Sequence, residues 1–149
     1  KVKIYIYIYM SSDSDLVSLI LQEISENKIK TKEELDQEIK NSLYQVYQNY
    51  LDFDSNQENF RDSYQKLKVY KYVELLDLEE GRFIRYLSNK HFYDIKLMVG
   101  GFITEIDYQN QKIRMLNKNK VFYLKSNDIT MYMKLNEEEI VKQKIMESL

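Results

Sequence analysis

The chain of 149 residues contains no cysteine, no proline and no tryptophan, and only three glycines and one histidine. Without cysteine there is no disulfide, no thiolate metal site and no thiol nucleophile. A reducing compartment is compatible with that absence but not required by it. The single histidine, His91, builds neither a multi-histidine metal site nor a pair of imidazole acid/base groups. No run approaches the roughly 20 apolar residues of a membrane-spanning helix. Lys1 and Lys3 before a short apolar run share the outline of a signal peptide. That run is too short and half tyrosine, and no small-residue cleavage site follows it, so it reads as mature structure. The protein is expected to be cytoplasmic, with no membrane association, no cofactor and no metal.

Lys, Asn, Ile and Tyr are plentiful, whereas Ala, Pro and Gly are scarce. AT-rich coding DNA produces that bias, so composition alone accounts for part of the fourteen tyrosines. Residues 1–10, KVKIYIYIYM, alternate with the period of a half-buried strand. They set Tyr5, Tyr7 and Tyr9 on one face, either packed beneath a helix or exposed as a contact surface. Leu16, Leu19, Ile20 and Ile24 predict a helix over about 14–27. Thr31 and Glu34 spell a capping box ahead of Leu35, Ile39, Leu43, Val46 and Tyr50, a clean helical stripe. Ser55 and Glu58 spell a second box before Phe60, Tyr64 and Leu67.

Near Val69 the period changes from helical to pleated. Strands are expected over 69–76, 82–87, 95–106, 112–116, 121–125 and 129–134, with hairpin-length turns at 107–111 and 117–119. Asn136 and Glu139 cap a closing helix that carries Ile140, Val141 and Ile145. Gly100 and Gly101 lie inside a strand pattern, where glycine marks a bulge or sharp bend. Together with Ser126-Asn-Asp, suited to a one-turn helix before the last strand, they predict a small bent barrel. The expected fold is α+β: an N-terminal strand and three-helix region (1–77) packed on an SH3-like or Sm-like β-barrel with a C-terminal helix (78–149). Residues 1–77 hold 10 Lys/Arg against 14 Asp/Glu, whereas 78–134 hold 10 against 6, so the strand-rich part is mildly basic.

The run Leu78-Glu-Glu-Gly81-Arg-Phe-Ile84-Arg85-Tyr86, then Gly100-Gly101-Phe102-Ile103 and Lys120-Val-Phe-Tyr-Leu124, resembles barrel segments in uncharacterised proteins of large DNA viruses. In those proteins a glycine, an "IRY"-type strand and a "GGF" strand precede a final aromatic strand. The resemblance covers residues 78–134 and does not extend over 1–77. It implies a viral origin and a small interaction barrel, with no activity attached.

No catalytic constellation is visible. The carboxylate pairs Asp13/Asp15, Asp52/Asp54 and Glu137/Glu139 sit at helix starts, where negative charge favours the dipole. The stretch from Asp52 begins like a calcium loop but lacks its central glycine and closing glutamate. The residues proposed as an interaction surface are Arg82, Arg85, Tyr86, Phe92, Tyr93, Lys96, Tyr108 and Arg114. Among them, Tyr86, Phe92, Tyr93 and Tyr108 fall near turns where rings would form a cage for a cation, while Phe83, Phe102 and Phe122 are assigned to the core. The expected function is non-catalytic: a protein–protein interaction or structural component of a virus particle or cytoplasmic assembly, with a protein partner or homo-oligomer. The alternative is a nucleic-acid-binding accessory protein that uses the basic strands and their rings.

Overall fold

The computed structural model describes residues 14–26, 29–50, 53–88 and 95–148. The tyrosine ladder of 1–10, and with it the choice between a packed and an exposed tyrosine face, lies outside them, as do His91, Phe92 and Tyr93. The chain divides into two compact units, residues 1–35 with 135–149, and residues 36–134.

In the first unit, helix α1 (Ser14–Ser25) and helix α4 (Glu137–Ser148) share a small core. Ile20, Val141 and Ile145 are buried in it, with Ile24 and Ile29 against them. Both predicted caps are present. Asn136 accepts from the Glu139 N–H at 2.8 Å and donates its own N–H to Glu139 Oε1 at 3.1 Å. The Glu34 N–H donates to Thr31 Oγ1 at 3.0 Å, opening helix α2 (Lys32–Tyr50). Lys142 reaches Glu23 at 3.1 Å and Glu138 at 3.3 Å. Burial by itself would lower the Lys142 pKa, but these two carboxylates outweigh it and the net shift is upward.

The second unit holds α2 from Asp36 onward, helix α3 (Phe53–Lys66) and six strands. The strands are β1 (Tyr70–Val73), β2 (Phe83–Ser88), β3 (Leu97–Asp107), β4 (Lys112–Asn117), β5 (Lys120–Lys125) and β6 (Ile129–Lys134). Helix α3 starts two residues ahead of Ser55, so Ser55 lies inside the first turn and is not its cap. The stripe of α2 buries Ile39, Leu43, Val46 and Tyr47. With Leu67 of the α3–β1 connection, these pack on Tyr70, Leu87, Leu97 and Tyr132, so the helices cover one face of the sheet over β1, β6 and β2. The polar atoms in this layer are satisfied: Tyr132 Oη lies 2.7 Å from Ser42 Oγ, and Tyr47 Oη lies 2.9 Å from Ser63 Oγ. Burial drives the Tyr132 hydroxyl far above the ordinary tyrosine range.

All strand pairs are antiparallel, in the order β1-β6-β2-β3-β4-β5. The other face buries Val73, Ile84, Ile103, Ile113, Met115 and Met131 in a second cluster drawn from β1 through β4 and β6. No described α-helix contributes to that cluster; Leu78 and the partly buried Leu75 of the β1–β2 connection pack with the strand residues, and the sheet curls around them. Two bulges, each adding a residue to β3, supply the curl. One falls between the pairs Ile84/Gly101 and Tyr86/Met98, the other between Ile103/Met115 and Glu105/Arg114. Gly100 sits in the first bulge at φ +78°, where an added Cβ would stand 1.8 Å from the Ile84 carbonyl oxygen.

The sheet is not closed, and the SH3-like or Sm-like barrel expected from the sequence is not formed. β6 inserts between β1 and β2, and among the described residues β5 pairs only with β4. The one-turn helix expected before the last strand is present at Ser126–Asp128, and the bend at the glycine pair is present too. Both are local devices that bend the chain, whereas closure also requires strand number, tilt and stagger to bring the two edges together.

Candidate interaction surface

The helices leave part of the sheet uncovered. Phe83 and Leu87 face the helical layer, and Phe102 stands opposite Phe83 with the two rings edge to face at 5.0 Å. On the same face, Phe102 pairs with Leu116, Leu116 with Val121, and Arg114 with Tyr123. Phe102, expected in the core, is 52% exposed because it lies one strand beyond the helices; Val121 is 47% exposed and Tyr123 66%. An apolar strip therefore runs from the margin of the first core to the outer strand. Contiguous apolar surface of this kind marks contact sites more often than scattered single residues do.

Positive charge gathers beside it. Residues 112–125 carry Lys112, Arg114, Lys118, Lys120 and Lys125 and no carboxylate. On β3, Glu105 stands opposite Arg114 and Asp107 opposite Lys112. Asp107 is held below the ordinary carboxylate range mainly by hydrogen bonds from Asn110 in the following turn. The cations farthest from these acids in the sheet order are those of the β4–β5 turn and of β5.

The residues proposed from sequence occupy varied places. Arg85 donates from Nε to the Met98 carbonyl at 3.1 Å, across the first bulge. Arg114 donates to Thr104 Oγ1 at 3.1 Å, and Thr104 is the extra residue of the second bulge. Arg82 donates to the Lys134 carbonyl at 2.9 Å and lies 3.6 Å from Glu79. These three arginines brace the curled sheet. Tyr86 is half-buried beside Met98 and Met131, and burial raises its hydroxyl pKa. Tyr108 is exposed in the β3–β4 turn. Tyr86 pairs at the start of β3 and Tyr108 follows its end, roughly 30 Å of strand away, so these two rings do not share a cage. Lys96 is exposed just before β3, whereas Phe92 and Tyr93 lie outside the described residues. Val121 and Tyr123 are not among the residues proposed as an interaction surface from sequence, although Tyr123 is one of the rings of the nucleic-acid alternative.

A shallow cleft of about 150 Å³ lies between the Leu75–Asp77 turn and the start of β6, with Tyr72, Glu74, Ser126 and Met131 in its walls. That is below the several hundred Å³ of a typical small-molecule site. Among the described residues no three His, Asp or Glu side chains are grouped to hold a metal ion. No helix of the described residues is long and apolar enough to cross a membrane. The chain matches no protein-family model, and neither a curated protein nor a solved structure is significantly similar to it.

Proposed function

We propose that this protein is a non-catalytic protein-interaction module whose contact surface is the uncovered face of β3, β4 and β5. The observation that carries this reading is the strip Phe102–Leu116–Val121–Tyr123, which continues the first core out from under its helices. Covering such surface removes apolar area from water, and an aromatic centre with a charged rim is the usual anatomy of an interface. The test is a photo-cross-linking amino acid placed at Tyr123, with Leu76 (85% exposed, outside the strip) as the control position. A discrete adduct from position 123 and none from position 76, in cells that make the protein, is the expected result. The absence of an adduct at 123 contradicts the reading.

The basic hairpin beside Tyr123 favours a second reading, in which the same face holds single-stranded nucleic acid by ring stacking and phosphate contacts. Binding of a fluorescent oligothymidylate that weakens steeply as salt rises would replace the first reading with this one.

A further inference from the structure

The geometry points to strand addition at β5: its outer edge accepts an extended segment of a partner protein, apolar at the centre and acidic at both ends. This rests on the interaction reading above and names the chemistry of the partner. The first support is the direction of the main chain. Asn117 and Lys120 close the β4–β5 hairpin over the two-residue turn Lys118-Asn119. The closing pair of such a hairpin exchanges both hydrogen bonds, and bonded pairs then alternate with unbonded ones. The Ser126 N–H bond to the Gln111 carbonyl, 2.9 Å, keeps that phase at the far end. Phe122 and Leu124 therefore bond inward to β4. Val121 and Tyr123 turn N–H and C=O outward, where no described strand lies.

The second support is apolar surface on both faces of one strand. Val121 and Tyr123 are exposed on the outer face, while Phe122 and Leu124 are only partly buried at the rim of the second cluster. A ligand lying on the outer face covers one pair. A strand alongside the edge covers both and satisfies the outward backbone groups. Four consecutive apolar residues are the composition of a strand covered on both faces, and exposed edges of this kind are templates for pairing.

Charge selects the occupant. Lys120 and Lys125 end the strand and Lys118 holds the adjoining turn. In a two-fold antiparallel pairing of β5 with a second copy of itself, the basic end at Lys118 and Lys120 of one strand would lie alongside the basic end at Lys125 of its mate, at both ends of the seam. Like charges brought side by side in this way oppose the pairing. A segment with Asp or Glu at its ends instead places opposite charges across both end positions.

The test titrates the full chain with a synthetic peptide of alternating valine and threonine flanked by two acidic residues at each end, and with a twin flanked by lysines. The acidic peptide should bind, lose affinity as salt rises, and slow amide exchange at Val121 and Tyr123 by roughly tenfold or more. The lysine twin should bind roughly tenfold more weakly. Tyr123→Pro removes an outward N–H without breaking a β4 bond, as an edge strand tolerates, and should abolish binding. Tyr123→Thr keeps the N–H and should retain most of it.

Absence of acidic-peptide binding, unchanged exchange at the two amides, or equal binding by Tyr123→Pro would each overturn strand addition. A salt-sensitive oligothymidylate complex without amide protection, or a peptide-free dimer with both amides protected, would overturn it in favour of those occupants. A partner cross-linked at position 123 whose complex leaves both amides in fast exchange preserves the interaction reading while removing strand addition. No cross-link and no peptide binding removes both.

Discussion

An added Cβ at Gly100 would collide with the Ile84 carbonyl, a backbone atom fixed by two neighbouring strands, and φ +78° is costly for any L side chain. Gly81 has φ +86° but open space around it, so it carries the conformational cost alone. Gly100→Ala should therefore destabilise by more than about 2 kcal/mol, and Gly81→Ala by about 1 kcal/mol. Chemical denaturation of the two variants checks the ranking; equal losses would mean that the bulge does not hold the curl. A second residue-scale test concerns Asp36. The Tyr64 hydroxyl donates to it and, with Lys40, holds its pKa below the ordinary value of 3.8. A lowered carboxylate stabilises the fold above its unfolded pKa, and that share is lost as pH falls through the folded pKa. Tyr64→Phe should raise the Asp36 pKa towards 3.8 and flatten the acid limb of the stability profile, as followed by carboxyl NMR titration and acid unfolding.

At the scale of elements, helices were readable because their signals are local. The Thr31 and Asn136 boxes are both formed as spelled, and the stripe Ile39–Leu43–Val46 is buried. Asn136→Ala should cost about 1 kcal/mol, and exchange in the first turn of α4 should quicken without a change in β2 or β6. Equal quickening in both places would show that the cap serves more than its own helix. Ser55 failed as a cap because its spelling also fits the interior of a first turn. Strands β2 to β6 were legible to within about two residues from their alternation. The bulges in β3 were not, apart from the glycine pair, because an unpaired extra residue such as Thr104 leaves no mark on its own strand. Arg85 and Arg114 consequently read as surface charge, when their guanidinium groups are engaged at those bulges.

For the molecule as a whole, bending devices were legible and closure was not. Short strands, paired glycines and the Ser126–Asp128 turn specify a sheet that curls, but the distance between its edges depends on how all six strands stagger. With β6 between β1 and β2, β5 becomes an edge, and residues that would be interior in a closed barrel lie at the rim. The candidate surface follows from that one topological fact, which is why a residue-by-residue reading assigned Phe102 to the core and left Tyr123 out of the interaction surface. Amide hydrogen exchange along β5 of the isolated chain tests the open edge most directly. The account predicts protection at Phe122 and Leu124, which bond to β4, and rapid exchange at Val121 and Tyr123 between them. Uniform protection of all four in the monomer would place a strand against β5 and contradict the open sheet.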